Sequence, residues 1–118
     1  MTRDLLIIED EPNLRFLLRN TFKGYGINAD GAADGREALI LLKKHNYKAI
    51  SLDITMPVMG GIEFLHNIDT SLHGIVVIFS CFADYRLDEY PEVKIVFNKP
   101  EDIDKYVKTI MELCHVTQ

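Results

Sequence analysis

Short apolar runs alternate along the chain with longer segments in which apolar residues recur at helical spacing. The first run, Leu5 to Ile8, is continuous and ends in acidic residues, as is typical of a strand buried on both faces of a sheet. Comparable runs predict further strands at Ile27 to Ala33, Ala49 to Ile54, Ile75 to Phe79 and Lys94 to Phe97. The pattern therefore predicts five strands separated by helical segments.

Apolar residues three and four positions apart predict amphipathic helices between these strands. The first helix is expected to begin at Pro12 and to end before Gly24, because proline suits a first helical turn and glycine suits a helix end. Its apolar face is predicted to comprise Leu14, Leu17, Leu18 and Phe22. Similar patterns predict a second helix through Ala38 and Leu42 after an Asp34-Gly35 turn, a third from Ile62 to Ile68 and a closing helix from Ile103 to Leu113.

The segment between the fourth and fifth predicted strands carries a weaker helical signal. Ala83 to Tyr90 is long enough for only about two helical turns before Pro91, and polar residues crowd it. The fourth of the expected helices is therefore predicted to be shortened or irregular.

Strands that alternate with helices predict a parallel sheet, because the connection between parallel strands must return over a face of the sheet. The predicted fold class is α/β, a doubly wound five-stranded parallel sheet with helices on both faces. With 118 residues, of which 47% are hydrophobic, the chain can bury one core but not two independent ones. A single domain over residues 1–118 is expected.

Composition narrows the classes of partner. The net charge of -5 argues against binding to nucleic acid, which requires a basic surface. An export signal and a membrane-spanning run are not apparent, so a cytoplasmic protein without membrane contact is expected. Cys81 and Cys114 lie in apolar stretches without metal-binding spacing, and we expect both to be buried thiols.

Polar residues follow four of the predicted strands. In a parallel sheet the carboxyl ends of the strands share one edge, and ligands bind in the crevice outside that edge. The residues expected there are Glu9 and Asp10, Asp53, Ser80 and Lys99.

Three carboxylates at one edge cannot all stay ionised without a compensating positive charge. Mg²⁺ fits this requirement, because it binds few carboxylates and shares phosphate oxygens readily. Asp53 could act as a nucleophile toward phosphorus, and the Lys99 amine and the Ser80 hydroxyl could stabilise the phosphoryl oxygens. The predicted chemistry is therefore Mg²⁺-dependent phosphoryl transfer to an aspartate.

The motifs that carry these residues resemble those of response-regulator receiver domains, the chemotaxis-regulator-like family of two-component signalling. The resemblance covers essentially the whole chain. It is carried by the acidic run from Glu9 to Pro12, the Met-Pro and Met-Gly pairs between Asp53 and Gly61, Ser80, and Asn98-Lys99-Pro100.

The resemblance implies a flavodoxin-like fold and a role for each site residue. It makes Asp53 the phosphoacceptor, Asp10 a direct metal ligand, Glu9 a ligand directly or through water, and the Thr55 carbonyl a further ligand. Ser80 and Lys99 would contact the phosphoryl group, and the Lys99-Pro100 peptide bond would be cis.

The resemblance also implies partners. The phosphoryl donor would be a sensor histidine kinase or a histidine phosphotransfer protein, and a downstream protein target would read the phosphorylated surface. Homodimerisation stays open. The chain would act as a signalling switch with its own phosphorylation and dephosphorylation chemistry, more than as an enzyme with turnover.

Three positions depart from the usual receiver pattern. Glu9 stands where aspartate is more usual, Cys81 stands where a smaller residue is favoured, and Val96 stands where many receivers carry an aromatic residue. Mg²⁺ binding should survive the first change, and the second should tighten access to the phosphoryl group. The third argues against the usual aromatic switch.

Other interpretations stay open. Val96 and the short fourth helix would also suit a degenerate receiver that acts as a constitutive protein-interaction module. A small-molecule phosphohydrolase is less favoured, because Thr55 stands where a general acid would be needed. Taken singly, the site residues also have structural interpretations: Asp10 as an N-cap, Asp53 as a turn residue, Ser80 as a helix cap and Lys99 as a surface amine.

Overall fold

The computed structural model describes residues 2–54, 56, 59–68, 75–81, 90 and 93–114. Within them, the strands are β1 (Thr2–Ile8), β2 (Ala29–Ala32), β3 (Asn46–Leu52), β4 (Ile75–Ser80) and β5 (Val93–Asn98). The helices of the same residues are α1 (Pro12–Gly24), α2 (Gly35–Lys44), α3 (Gly61–Asn67) and α4 (Ile103–Leu113). The label α4 therefore belongs to the closing helix. The predicted short helix at 83–90 lies almost wholly outside the described residues.

All five strands form one parallel sheet in the order β2-β1-β3-β4-β5. The predicted doubly wound sheet is confirmed. The chain moves outward from β1 to β2 and then returns past β1 to β3, so the strand order reverses between β1 and β3. Because Ile8 pairs with Leu52 in this register, the residues that follow β1 and β3 emerge side by side.

Helices cover both faces of the sheet, as predicted. On one face, Leu6 and Ile8 of β1 pack in a cluster with Leu42 of α2 and Phe64 of α3. Since successive side chains of a strand point to opposite faces, the other strand residues meet α1 and α4. That second cluster comprises Leu5, Ile7, Leu18, Phe22, Ile27, Ala49, Val77, Phe79, Phe97, Tyr106, Ile110 and Cys114.

Tyr106 adds a polar link to the second cluster. Its buried hydroxyl lies 2.6 Å from that of Ser51, and its ring stacks on Phe79 with the centroids 4.1 Å apart. Burial raises the pKa of Tyr106, so the phenol stays protonated and can share a hydrogen bond with Ser51. This contact joins α4 to β3 and β4 directly beneath the strand ends that carry Asp53 and Ser80.

The predicted apolar face of α1 is wrong at one position. Leu18 and Phe22 are buried, but Leu17 is 59% exposed and Phe16 is 67% exposed. Leu14, Leu18 and Phe22 form a row of residues four positions apart, and that row faces the sheet. Leu17 lies on the neighbouring row, which points to solvent.

Several boundaries and caps also differ from the predictions. The N-cap of α1 is Glu11, whose side chain accepts hydrogen bonds from Asn13 and Leu14, so the N-cap interpretation of Asp10 is wrong. The second strand is shorter than predicted because Ile27 bonds back to the end of α1 through its backbone N–H. Cys81 is exposed rather than buried, since it lies one residue beyond β4, whereas Cys114 is buried as expected.

The turn that ends α1 explains one glycine. Gly26 adopts φ +82°, a left-handed conformation that residues other than glycine rarely take.

None of the helices in the described part of the chain has the length and apolar character that crossing a membrane requires.

Candidate functional site

Three acidic side chains converge at the carboxyl edge of the sheet. Glu9, Asp10 and Asp53 each offer a carboxylate oxygen, and these oxygens lie within 4.8 Å of one another. The backbone accounts for the convergence. The N–H of Glu9 donates to the Ala32 carbonyl at 3.0 Å, and the N–H of Asp53 donates to the Ile8 carbonyl at 3.0 Å, so the parallel ladder fixes both positions.

The two ladder residues of this cluster are almost fully buried, whereas Asp10 is partly exposed. Glu9 is 3% exposed and Asp53 is 7% exposed. Carboxylates are seldom buried to this extent unless they are paired. The cluster therefore requires positive charge from within the protein or from a bound cation.

Lys99 supplies positive charge from the end of β5. Its ammonium forms an ion pair with Glu9 and lies 3.4 Å from Oδ2 of Asp53. The backbone N–H of Lys99 donates to the Ser80 carbonyl at 3.1 Å, and this bond fixes the Lys99 backbone next to the end of β4. The peptide bond between Lys99 and Pro100 is cis, which confirms that prediction.

The electrostatics of this pair follow from burial and proximity. Burial raises the pKa of Glu9 above its usual value, and the charge of Asp53 adds to that effect; the hydrogen bond from Lys99 opposes it only in part. Burial alone would lower the pKa of Lys99, but the hydrogen bond to Glu9 and the charge of Asp53 outweigh it and raise that pKa. Lys99 therefore stays cationic at neutral pH.

Ser80 completes the group at the end of β4. Its side chain is fully buried, and it lines an open cleft of about 340 Å³ together with the three acids and Lys99. Cys81 and Leu14 form part of the same wall. Each described residue that the sequence predicted for the site thus lies in this cleft. Thr55, the remaining predicted ligand, lies outside the described residues.

Two further residues shape the site, and the sequence prediction assigned neither a role. The guanidinium of Arg15 in α1 donates a hydrogen bond to the Glu9 carbonyl at 2.8 Å, which holds the helix against the backbone at Glu9. A Cβ at Gly61 would lie 2.7 Å from the Ile54 Cα and 2.9 Å from the Asp53 carbonyl oxygen. Only glycine allows α3 to begin this close to Asp53. The Gly60-Gly61 pair was the available signal for this close approach.

The donors fit Mg²⁺. Hard carboxylate oxygens at one point, with an open cleft for water and phosphate oxygens beside them, are the ligands that Mg²⁺ binds in proteins. Among the described residues, Lys99 provides the ammonium that pairs with these carboxylates, and its charge balances only part of theirs. Glu9, Asp10 and Asp53 are the residues that would hold the ion.

Comparisons of the sequence and the fold with known proteins point to one family. Residues 5–110 match the family model described as response regulator receiver domain. The chain is 32% identical over 111 residues to sporulation initiation phosphotransferase F of Bacillus subtilis, a match that covers 89% of this chain and 88% of that protein. It is 31% identical over 83 residues to the autoinducer 2 sensor kinase/phosphatase LuxQ of Vibrio cholerae, covering 70% of this chain.

The chain spans only 10% of the length of that sensor kinase. Among solved structures, it resembles the response regulator protein TrrA from Thermotoga maritima in complex with Mg²⁺-BeF. The TM-score is 0.80 and the identity is 27%, with 94% of this chain and 98% of that chain covered.

Proposed function

Because the chain belongs to the response regulator receiver domain family of two-component signalling, we propose that it is a phosphoacceptor switch. Asp53 takes a phosphoryl group in a Mg²⁺-dependent reaction, and phosphorylation changes a surface that a downstream protein target recognises. The donor is a sensor histidine kinase or a histidine phosphotransfer protein. The observation that carries this proposal is the set of three carboxylate oxygens within 4.8 Å of one another, beside the ammonium of Lys99, whose side chain is 10% exposed.

The proposed step transfers a phosphoryl group from a histidine nitrogen of the donor to a carboxylate oxygen of Asp53. A carboxylate oxygen of Asp53 attacks the phosphorus of a phosphohistidine, the new P–O bond forms and the P–N bond breaks. The imidazole nitrogen leaves with the electron pair of the broken bond and takes a proton from solvent water. Mg²⁺, when bound, supplies positive charge that offsets the charge of the phosphoryl oxygens.

The other residues of the cleft orient and stabilise the group that is transferred. Lys99 is close enough to Asp53, at 3.4 Å, to reach a phosphoryl oxygen attached there. Ser80 lines the same cleft and offers a hydroxyl donor. Glu9 and Asp10 hold the metal with Asp53, and the Thr55 carbonyl is proposed as a further ligand.

Related proteins support this proposal. One relative that the chain matches over most of its length is named as a phosphotransferase. One structural relative was solved in complex with Mg²⁺-BeF. The proposal extends to a cytoplasmic location, a protein partner and no contact with nucleic acid, consistent with the acidic net charge of -5.

The direct test is adduct formation with Mg²⁺ and either beryllofluoride or acetyl phosphate. Wild type should form one beryllofluoride complex by fluorine NMR and gain one phosphoryl group by intact mass. Asp53→Asn should do neither. Asp30→Asn is the matched control, because it removes an acid from the opposite end of the sheet, where Asp30 binds Arg3. An adduct that persists in Asp53→Asn would contradict the proposal.

A degenerate receiver that acts as a constitutive interaction module is the second candidate. Val96 favours it, since this side chain packs half-buried against the core of one sheet face, where many receivers have an aromatic switch residue. The three acids and Lys99 argue against it. A wild-type protein that binds Mg²⁺ weakly and forms no adduct with either reagent would support this candidate instead.

A further inference from the structure

We propose that Arg15 is a positioning residue for metal binding. It holds the peptide unit between Glu9 and Asp10 and thereby presents the Asp10 carboxylate to a cation. The inference rests on the proposed function, because it assumes that Mg²⁺ binds Asp10 together with Glu9 and Asp53. In this role Arg15 acts through Asp10 and makes no bond to the ion.

The three acids of the cluster are held in different ways. Glu9 and Asp53 directly follow strands, and their backbone N–H groups donate to carbonyls of neighbouring strands at 3.0 Å. Asp10 lies one residue further on, between the end of the sheet ladder and the start of α1, and its side chain is partly exposed. A metal ligand at such a position needs another support, because a freely moving residue would lose conformational entropy when it binds the ion.

Arg15 provides this support from α1. Its Nη1 donates to the Glu9 carbonyl at 2.8 Å, and the Glu9 N–H is fixed by its bond to the Ala32 carbonyl. Because a peptide unit is planar, the position of its carbonyl oxygen also determines the position of the next Cα. With both backbone groups of Glu9 held, the Cα of Asp10 is held as well. The Asp10 carboxylate therefore extends from a fixed point of the backbone.

The Arg15 side chain reaches this carbonyl across the edge of the sheet. A Cβ at Gly31 of β2 would lie 3.1 Å from the Arg15 Cδ, so the aliphatic part of the side chain passes directly over this glycine. Arg19 takes a parallel course one helical turn later. Its Cδ would lie 3.3 Å from the same Cβ, and its Nε donates to the Ala29 carbonyl at 3.0 Å. The two arginines thus make the same kind of contact, and it is the contact of Arg15 that ends beside the acidic cluster.

The charge and the hydrogen bond of Arg15 should have opposite effects on the binding of a cation. A guanidinium near the site repels a divalent cation, so loss of the charge alone would tighten Mg²⁺ binding. Loss of a hydrogen bond that orients a metal ligand instead weakens binding, roughly tenfold to a hundredfold. Since Arg15 donates to a neutral carbonyl, its bond orients the backbone. The direction of the change after substitution therefore distinguishes positioning from electrostatics.

Titration of two matched variants with Mg²⁺ alone tests this inference. Arg15→Met and Arg19→Met each remove one guanidinium and one hydrogen bond to a backbone carbonyl, and calorimetry gives the Kd of each protein. Arg15→Met should weaken Mg²⁺ binding about tenfold, whereas Arg19→Met should stay within about twofold of wild type. An Arg15→Met protein that binds Mg²⁺ as tightly as wild type, or more tightly, would overturn the positioning role. Equal weakening in both variants would overturn it too.

A second measurement needs no metal. Relaxation of ¹⁵N gives the order parameter of the Asp10 backbone N–H, which belongs to the peptide unit that Arg15 holds. It should be near about 0.85, the rigid range, in wild type and Arg19→Met, and should fall toward about 0.6 in Arg15→Met. A rigid Asp10 amide in Arg15→Met would overturn this inference even if Mg²⁺ binds. A wild-type protein that binds no Mg²⁺ would overturn the proposed function and the metal-binding role, while a fall in the order parameter would still show that Arg15 holds Asp10.

Discussion

Charge is arranged differently at the two ends of the sheet. Near the amino ends of the strands, Asp30 accepts hydrogen bonds from Arg3 at 2.9 Å and from Tyr47 at 2.6 Å. Asp4 lies 3.4 Å from Lys48, and both pairs are partly exposed. At the carboxyl ends, three acids lie within 4.8 Å of one another, and Lys99 is the ammonium that contacts them among the described residues.

The difference separates ordinary surface pairing from a site built for a ligand. Exposed ion pairs contribute little to stability, and each acid in them is balanced by its own partner. The carboxyl end has more buried negative charge than its own cation can offset, which lowers the stability of the protein without a ligand. Such a local conflict between charge and burial is expected at a functional site.

Replacing the cation at each end should have the largest effect and should separate the two regions most clearly. Lys99→Met leaves Glu9 buried without its ion pair, so we expect the free energy of unfolding to fall by about 3 kcal/mol in the absence of Mg²⁺. Arg3→Met, the matched change at the other end, should cost less than about 1 kcal/mol, because this pair is screened by solvent. Urea denaturation in the presence of a chelator measures both.

Added Mg²⁺ should affect the stability of the two variants differently. It should recover part of the stability that Lys99→Met loses, since a divalent cation replaces the missing charge, and it should leave the Arg3→Met difference unchanged. Similar losses for the two variants would show that the carboxyl end is balanced without Lys99.

Removing an acid from each end should change stability in opposite directions. Asp10→Asn relieves repulsion from Glu9 and Asp53, and we expect the free energy of unfolding without Mg²⁺ to rise by about 1 kcal/mol. Asp30→Asn weakens the bonds to Arg3 and Tyr47 and should lower it by up to about 1 kcal/mol. The same urea denaturation compares them. If Asp10→Asn destabilises the metal-free protein, the acids at the carboxyl end are not in conflict.

The sequence was sufficient to predict the acidic site, because alternation of strands and helices determines which ends of the strands meet. Once β1 and β3 are neighbours in a parallel sheet, Glu9 and Asp53 must emerge together. The ion pair between Glu9 and Lys99 could not be predicted in the same way. It joins residues far apart in sequence and depends on side-chain length and on distances that only the folded sheet determines.

Other errors have equally local causes. Helical spacing shows that α1 is amphipathic, but it does not show which of two adjacent rows faces the sheet, and Leu17 lies on the outer one. An apolar neighbourhood in sequence does not show that Cys81 lies one residue past the end of β4, where it is exposed. The N-cap interpretation of Asp10 was wrong because the next acid, Glu11, turns toward α1 and caps it, whereas Asp10 lies in the acidic cluster where it was predicted as a metal ligand.

The smallest effect concerns a neutral group at the amino end, Cys114, and it appears only at alkaline pH. Its thiol donates to the Asp4 carbonyl at 3.4 Å, and burial raises the pKa of Cys114 to about 11 from 9.0, with the charge of Asp4 adding to the shift. The folded protein therefore keeps the thiol proton where the unfolded chain loses it. This contribution to stability is complete below pH 9 and is lost as the pH rises from 9 to about 11.

Cys114→Ala should consequently have a shallower loss of stability across this pH range than wild type, whatever its stability at neutral pH. Urea midpoints measured at several pH values from 8 to 11 give the two slopes, and the tyrosines and lysines that titrate in both proteins cancel in their difference. Cys81→Ala is the control, because that thiol is exposed and its removal should leave the slope unchanged. Parallel curves for wild type and Cys114→Ala would mean that the amino end admits water to its buried thiol, and the contrast between the two ends of the sheet would then rest on the charged pairs alone.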